Sequence, residues 1–154
     1  MRLALYEPDI PQNAGTMMRM AACLGLGVDI VGPCGFSLDD RKLRRAGLDY
    51  LDRVAMRVHE SWPAYRRWRA EALPGSRLVL LSTRAETIYT AFAFRPEDTL
   101  MVGRESSGAP DGVHAAADAR VRIPLAASGR SLNVAVAAAM VVGEALRQTE
   151  GFPT

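Results

Sequence analysis

The chain has 154 residues, 49% of them hydrophobic and 23% charged, with a net charge of +2, the profile of a single globular domain able to bury most of its unfolded surface. No apolar run approaches the ~20 residues that span a bilayer, and the opening MRLALYEPD reaches a proline and acids too soon for a secretory signal, so a soluble cytoplasmic protein with no membrane partner is expected. Two cysteines without a CxxC spacing fit a reducing compartment, and Cys23, set among apolar neighbours, reads as a buried thiol.

In chain order, a strand is expected at 2–6, then a helix at 13–24 opened by Asn13, then a short Val-rich strand at 28–31. A helix follows at 39–46, capped by Asp39 or Asp40, then a strand at 53–58 and a helix at 61–72 behind Ser61 and Pro63. Past the divider LPGSR come strands at 78–82 and 99–103, a helix at 110–116, a strand at 121–124 and a last helix at 131–148 opened by Ser131. Strands alternating with helices define an α/β fold: a mostly parallel sheet with helices on both faces, formed by residues 1–154 as one domain.

Two of these helices lack an ordinary wet face. In 13–24 the only charge is Arg19, and in SLNVAVAAAMVVGEAL nothing is charged before Glu144. A helix apolar all round is covered on all sides, and in so small a domain the simplest second cover is another copy of the chain. Charge is uneven elsewhere too. Residues 41–70 hold nine basic residues against the three acids Asp49, Asp52 and Glu60. All but one of those nine are arginine, which binds phosphate through a planar fork, so Arg41, Lys42, Arg44 and Arg45 form a candidate phosphate footprint.

Several familiar chemistries are excluded. The loop EPDIPQNAG is no GxGxxG, there is no GxxxxGK[ST], HExxH or GxSxG, and His59 and His114 have no partner at metal-ligand spacing, so no metal is expected. A flavodoxin-like nucleotide-binding protein is disfavoured by the missing phosphate loop. What remains is three loops at the C-terminal ends of expected strands, where open α/β sheets bind ligands. They are PQNAGTMMR with Asn13, Gly15 and Arg19; VGRESSGAPDG with Glu105 between Gly103 and Gly108; and IPLAASGRSLN with Ser131 and Asn133.

In that order and spacing, N-x-G-x-x-x-R, G-x-E-x-x-G and I-P-x(6)-S-L-N resemble the signature motifs of the SPOUT class of RNA methyltransferases, within its ribose 2'-O branch. RKLRRAGLDYLD and LYEPDIPQNAG are similar to the small, single-domain tRNA wobble-nucleotide enzymes of the TrmL (YibK) type. The resemblance implies a deep trefoil knot in the C-terminal half, an exception to the rule that chains do not thread loops. It implies a homodimer with sites at the subunit interface and S-adenosylmethionine as methyl donor. Carried over, the donor-binding positions are Leu81, Gly103, Ile123 and Ser131, with Gly103 kept small for the adenosine. The catalytic positions are Arg19, Asn13, Glu105 and Asn133, with Glu105 as the counter-charge that orients Arg19.

The function implied is 2'-O-methylation of tRNA nucleotide 34, a cytidine or modified uridine, with the anticodon stem-loop on the arginine cluster. The alternatives are the same chemistry on another RNA such as rRNA, and a non-catalytic RNA-binding protein of the same fold.

Overall fold

The computed structural model describes residues 1–47, 50 and 54–154. The first residue of the strand expected at 53–58 and part of the string 41–52 lie outside the described residues. The elements run β1 (Arg2–Tyr6), α1 (Pro11–Cys23), β2 (Gly27–Val31), α2 (Arg41–Gly47), β3 (Met56–His59), α3 (Trp62–Ala72), β4 (Leu78–Leu81) and β5 (Thr87–Ile88). A 3-10 turn at Tyr89–Ala91 follows, then β6 (Thr99–Val102), α4 (Asp111–Ala116), β7 (Ala119–Arg122) and α5 (Val134–Gln148).

Seven strands form one sheet in the order β3-β2-β1-β6-β4-β7-β5. Every pairing between them is parallel. Period-two alternation divides the strand residues between two cores. Leu3, Leu5, Val28, Ile30, Val79, Leu100 and Val102 face α1, α2 and α5. Ala4, Tyr6, Leu78, Leu80 and Met101 face α3 and α4, with Tyr65 and Val113 buried against them. That second face also buries Asp29, which accepts from Arg2 Nε at 2.6 Å and lies 2.9 Å from His59 Nε2.

The helix starts differ from the expected ones for physical reasons. α1 begins two residues before Asn13, with Ile10 as its cap residue and Pro11 in the first turn, where a missing N–H costs nothing. That frees the Asn13 side chain for other partners. α2 is opened by Asp40, whose carboxylate accepts from Lys42 N at 2.7 Å. Ser61 caps α3 through Ala64 N. α5 starts not at Ser131 but at Val134, because Asn133 accepts from the N–H groups of both Ala135 and Val136. The two residues of β5 were too few to show an alternation.

Gly15 sits where α1 crosses α2. A Cβ there would lie 2.6 Å from the Leu43 carbonyl and 2.7 Å from the Ala46 Cβ, so the glycine of the first motif serves helix packing. Cys23 is exposed, a correction to the buried thiol. It shares a narrow outward stripe of α1 with Gln12, Thr16 and Arg19, four positions at helical spacing. Among the described residues no helix is long and apolar enough to cross a membrane.

Candidate active site

Beyond the C-terminal ends of β4, β6 and β7 lies an open cleft of about 630 Å³, within the range of small-ligand sites. Three chain segments build it. Leu81 ends β4, residues 103–109 turn back after β6, and Ile123 leads the loop that enters α5 through Ser131 and Asn133. Asn13 projects into the cleft from the first turns of α1.

The structure therefore places Leu81, Gly103, Ile123 and Ser131 on one wall system with Asn13, Glu105 and Asn133. Arg19 does not line this cleft. It is six residues beyond Asn13, about 9 Å along the helix axis. Its guanidinium is exposed and stands 5.3 Å from the centre of the Tyr50 ring. Glu105, expected as the counter-charge that orients Arg19, does not meet it within this chain, where the carboxylate finds nearer donors. Glu105 Oε2 accepts from Asp9 N at 2.9 Å, and Oε1 accepts from Asn13 Nδ2 at 3.4 Å. Asn133 Nδ2 in turn donates to Asn13 Oδ1 at 2.9 Å. One polar chain runs from Glu105 through Asn13 to the N-terminus of α5.

Gly103 also has a reason other than the expected one. A Cβ there would meet Ala109 N at 2.5 Å and the Gly108 carbonyl carbon at 2.7 Å. The turn folds onto its own start, with Gly108 at φ 68° and Gly108 N bonded to Arg104 O at 2.8 Å. Self-packing, before any ligand, requires the glycine.

Behind the cleft, Asp9 and Glu105 titrate apart. Hydrogen bonding with Glu105, Ser106 and the Glu105 N–H, together with the Arg104 charge, outweighs burial and holds Asp9 down to about 2. Burial first, and the neighbouring Asp9 second, push Glu105 up. His114, which also lines the cleft, is buried, and burial with the Arg84 and Arg120 charges lowers its pKa, favouring the neutral ring. The sequence singled out neither Asp9, although it lies in LYEPDIPQNAG, nor His114 for a role at the site, and proximity in the fold reveals them. No group of three or more His, Cys, Asp or Glu among the described residues is placed to hold a metal ion.

Arg41, Lys42, Arg44 and Arg45 are exposed on α2 around the buried Leu43, and none lines the cleft. Arg44 meets Asp39 at 3.2 Å on the open surface, where such a pair contributes little and yields readily to another anion.

A parallel α/β sheet with a looped cleft at its strand ends is one shared by many functions; the sequence comparison narrows it. Residues 1–143 match the SpoU rRNA Methylase family, and the chain belongs to it. Within that family the chain is 63% identical over 146 residues to the tRNA (cytidine(34)-2'-O)-methyltransferase of Beijerinckia indica, covering 95% of this chain and 90% of that one. It is 38% identical over 155 residues to the enzyme of the same name from Escherichia coli K12, covering 99% and 96%. A solved structure concerning the 2-OH methylation of C/U34 on tRNA superposes with a TM-score of 0.88 at 44% identity, covering 96% of this chain and 94% of that one. The SpoU methyltransferase AviRb of Streptomyces viridochromogenes, solved with AdoMet, gives 0.87 at 28% identity over 96% of this chain and 57% of its own.

Proposed function

We propose that this protein transfers a methyl group from S-adenosylmethionine to the ribose 2'-hydroxyl of nucleotide 34 of tRNA, a cytidine or modified uridine. The observation that carries this reading is the gathering of Leu81, Gly103, Ile123 and Ser131 on one cleft with Asn13, Glu105 and Asn133, in a chain so similar to enzymes of that name. The cleft suits the donor. Leu81 and Ile123 border the cleft where main-chain groups would read an adenine edge, the tight turn at Gly103 lines it, and Ser131 stands at the loop before α5. Bound there, the donor supplies an electrophilic methyl on sulfonium.

The chain's own residues then have distinct tasks. A guanidinium carries five N–H donors and no acceptor, so Arg19 is unsuited to act as base. It grips a phosphate of the acceptor or the charge growing on the 2'-oxygen. Glu105 is the carboxylate on the cleft able to receive the hydroxyl proton, and Asn13 and Asn133 orient it through neutral hydrogen bonds. Because Arg19 stands outside the cleft of its own chain, it acts at the site of a second copy.

A homodimer is supported by the apolar strip of Leu132, Val136 and Met140, which are 40%, 51% and 39% exposed, next to Ile10 at 41%. The trefoil knot is supported by the path of the chain, in which β6 inserts between β1 and β4 while α5 returns onto α1. The arginine-rich α2 faces the anticodon stem-loop, in the cytoplasm where tRNA is matured.

The test is incubation of the purified protein with unmodified tRNA and labelled donor, followed by mass mapping. One methyl on the ribose of nucleotide 34 is expected, and label confined to other positions or to ribosomal RNA overturns the reading. Removing Arg44 and Arg45 together lowers tRNA affinity and flattens its salt dependence by roughly 0.7–0.9 in log–log slope per lost phosphate contact. An unchanged slope moves the RNA to another face.

A further inference from the structure

Three loops meet at Asp9, a residue that does not line the cleft. Its N–H donates to Glu105 Oε2 at 2.9 Å, while its own Oδ1 accepts from Glu105 N at 3.1 Å, so the two acids cap one another's backbone. Its Oδ2 accepts from the Ser106 hydroxyl and faces Arg104 Nε at 3.7 Å. Arg104 reaches on to Glu7 at 3.5 Å. From the third side the loop after β2 presses close: a Cβ on Gly35 would lie 2.7 Å from the Asp9 Cβ, and Gly35 N bonds to Pro8 O at 2.9 Å.

We propose that Asp9 is a positioning residue for methyl transfer, a clasp between the loops after β1 and β6 that holds the Glu105 carboxylate in the cleft for the acceptor hydroxyl. The inference rests on the function proposed above. With one Glu105 oxygen held by Asp9 N from outside the cleft and the other by Asn13 on its wall, each oxygen keeps a lone pair for a further donor. In the transfer the 2'-oxygen bonds to the methyl carbon, the sulfur–carbon bond breaks with its electron pair left on sulfur, and the hydroxyl proton passes to Glu105. A base with pKa nearer the working pH does this better than an ordinary carboxylate, and the upward push on Glu105 by burial and by Asp9 is in that direction.

The charged and titratable groups around Glu105 are Asp9 and Glu7 from the β1 side, Arg104 on its own loop, and His114 and Arg84 elsewhere on the cleft lining. Asn13 from α1 and Asn133 before α5 complete the surroundings as neutral groups. Of these, Asp9 is the like charge joined to Glu105 directly.

The decisive variants are Asp9→Asn, which keeps the shape and removes the charge, and Asp9→Glu, which keeps the charge on a longer arm. In the full-length protein without RNA, carbon-13 NMR of the glutamate carboxyls, assigned with Glu105→Gln, follows the Glu105 titration. Its midpoint is expected above the ordinary glutamate range in the wild type and lower in Asp9→Asn. In single-turnover transfer Asp9→Asn slows the rate by roughly tenfold to a hundredfold. Its KM for donor and tRNA stays within about threefold, as for an interaction made in the transition state. The acid limb of its pH profile moves to lower pH, and Asp9→Glu recovers most of the rate. An unmoved Glu105 midpoint overturns the proposal. So does a loss of donor affinity as large as the loss of rate with the acid limb in place, because a loop brace alone does that. If the wild type methylates no tRNA, the function fails while the NMR titration still decides the clasp.

Discussion

Helices α1 and α5 pack against each other on the same face of the sheet, and both are poor in charge, yet they meet the surface differently. α1 turns outward a stripe of Gln12, Thr16, Arg19 and Cys23. α5 turns outward Val136, Ala139 and Met140 and holds its charges, Glu144 and Arg147, for its end. An apolar sequence on a helix therefore does not fix why it is apolar. In α1 the inner faces are used up by the sheet and by α2, and what remains outside is reactive and polar. In α5 the sheet side is satisfied and the apolar excess lies outside, as expected of a helix awaiting a partner of its own kind.

The sharpest way to break this contrast is a charge on the α5 strip. Val136→Glu is harmless to a monomer, because the position is exposed there, and leaves an unpaired charge buried in each half of a dimer, a cost of about 3–5 kcal/mol. Light scattering and circular dichroism should show a dimer for the wild type and a folded monomer for the variant. A dimer retained at low micromolar concentration would mean that the strip faces water. Next in size is Arg19→Ala on the α1 stripe. Methyl transfer at saturating donor and tRNA should fall by about 10²–10³, typical of one lost electrostatic stabiliser, with donor affinity and assembly intact. A rate within threefold of wild type would make the arginine structural, and Arg19→Lys should rescue poorly because a point charge lacks the guanidinium fork.

Smaller again is the inner face of α1. Gly15→Ala pushes a Cβ against the Leu43 carbonyl and Ala46, an overpacking that costs roughly 1–3 kcal/mol in denaturant unfolding. The smallest effect belongs to Cys23→Ser. On an exposed stripe it should stay within about ±0.5 kcal/mol, and a larger loss would show that this face of α1 is covered in solution.

Much of the fold was legible in the sequence because its signals are local. The alternation of short Val- and Leu-rich runs with helical stretches marks six of the strands and all five helices, and Ser61 and Asp40 act as caps as their positions suggest. The order of strands was not legible, since no local pattern says that Thr99–Val102 will lie beside Arg2–Leu5. The cleft residues were legible through their motif spacing. Their reasons were less so. Gly103 reads as room for a ligand and is also room for Gly108 and Ala109. Glu105 reads as the mate of Arg19, whereas within the chain the Asp9 N–H and the Asn13 side-chain amide, ninety-odd residues away in sequence, donate to it. Asp9 lay inside the string LYEPDIPQNAG but showed no role of its own, because an aspartate whose work is to bond a distant main chain looks like any loop aspartate.

The place of β6 has a consequence for how the protein is born. β1 is complete within the first residues to leave the ribosome, but one of its two edges pairs with β6, and the part of its helix α1 not packed on β2 and α2 is covered by α5 near the other end. At translation rates of about 5–20 residues per second, β1 and the inner face of α1 stand without those neighbours on the order of 5–20 s. Nothing assembled in that interval is the finished sheet. The nascent chain has a long exposed youth, and its native structure is settled only after synthesis has all but ended.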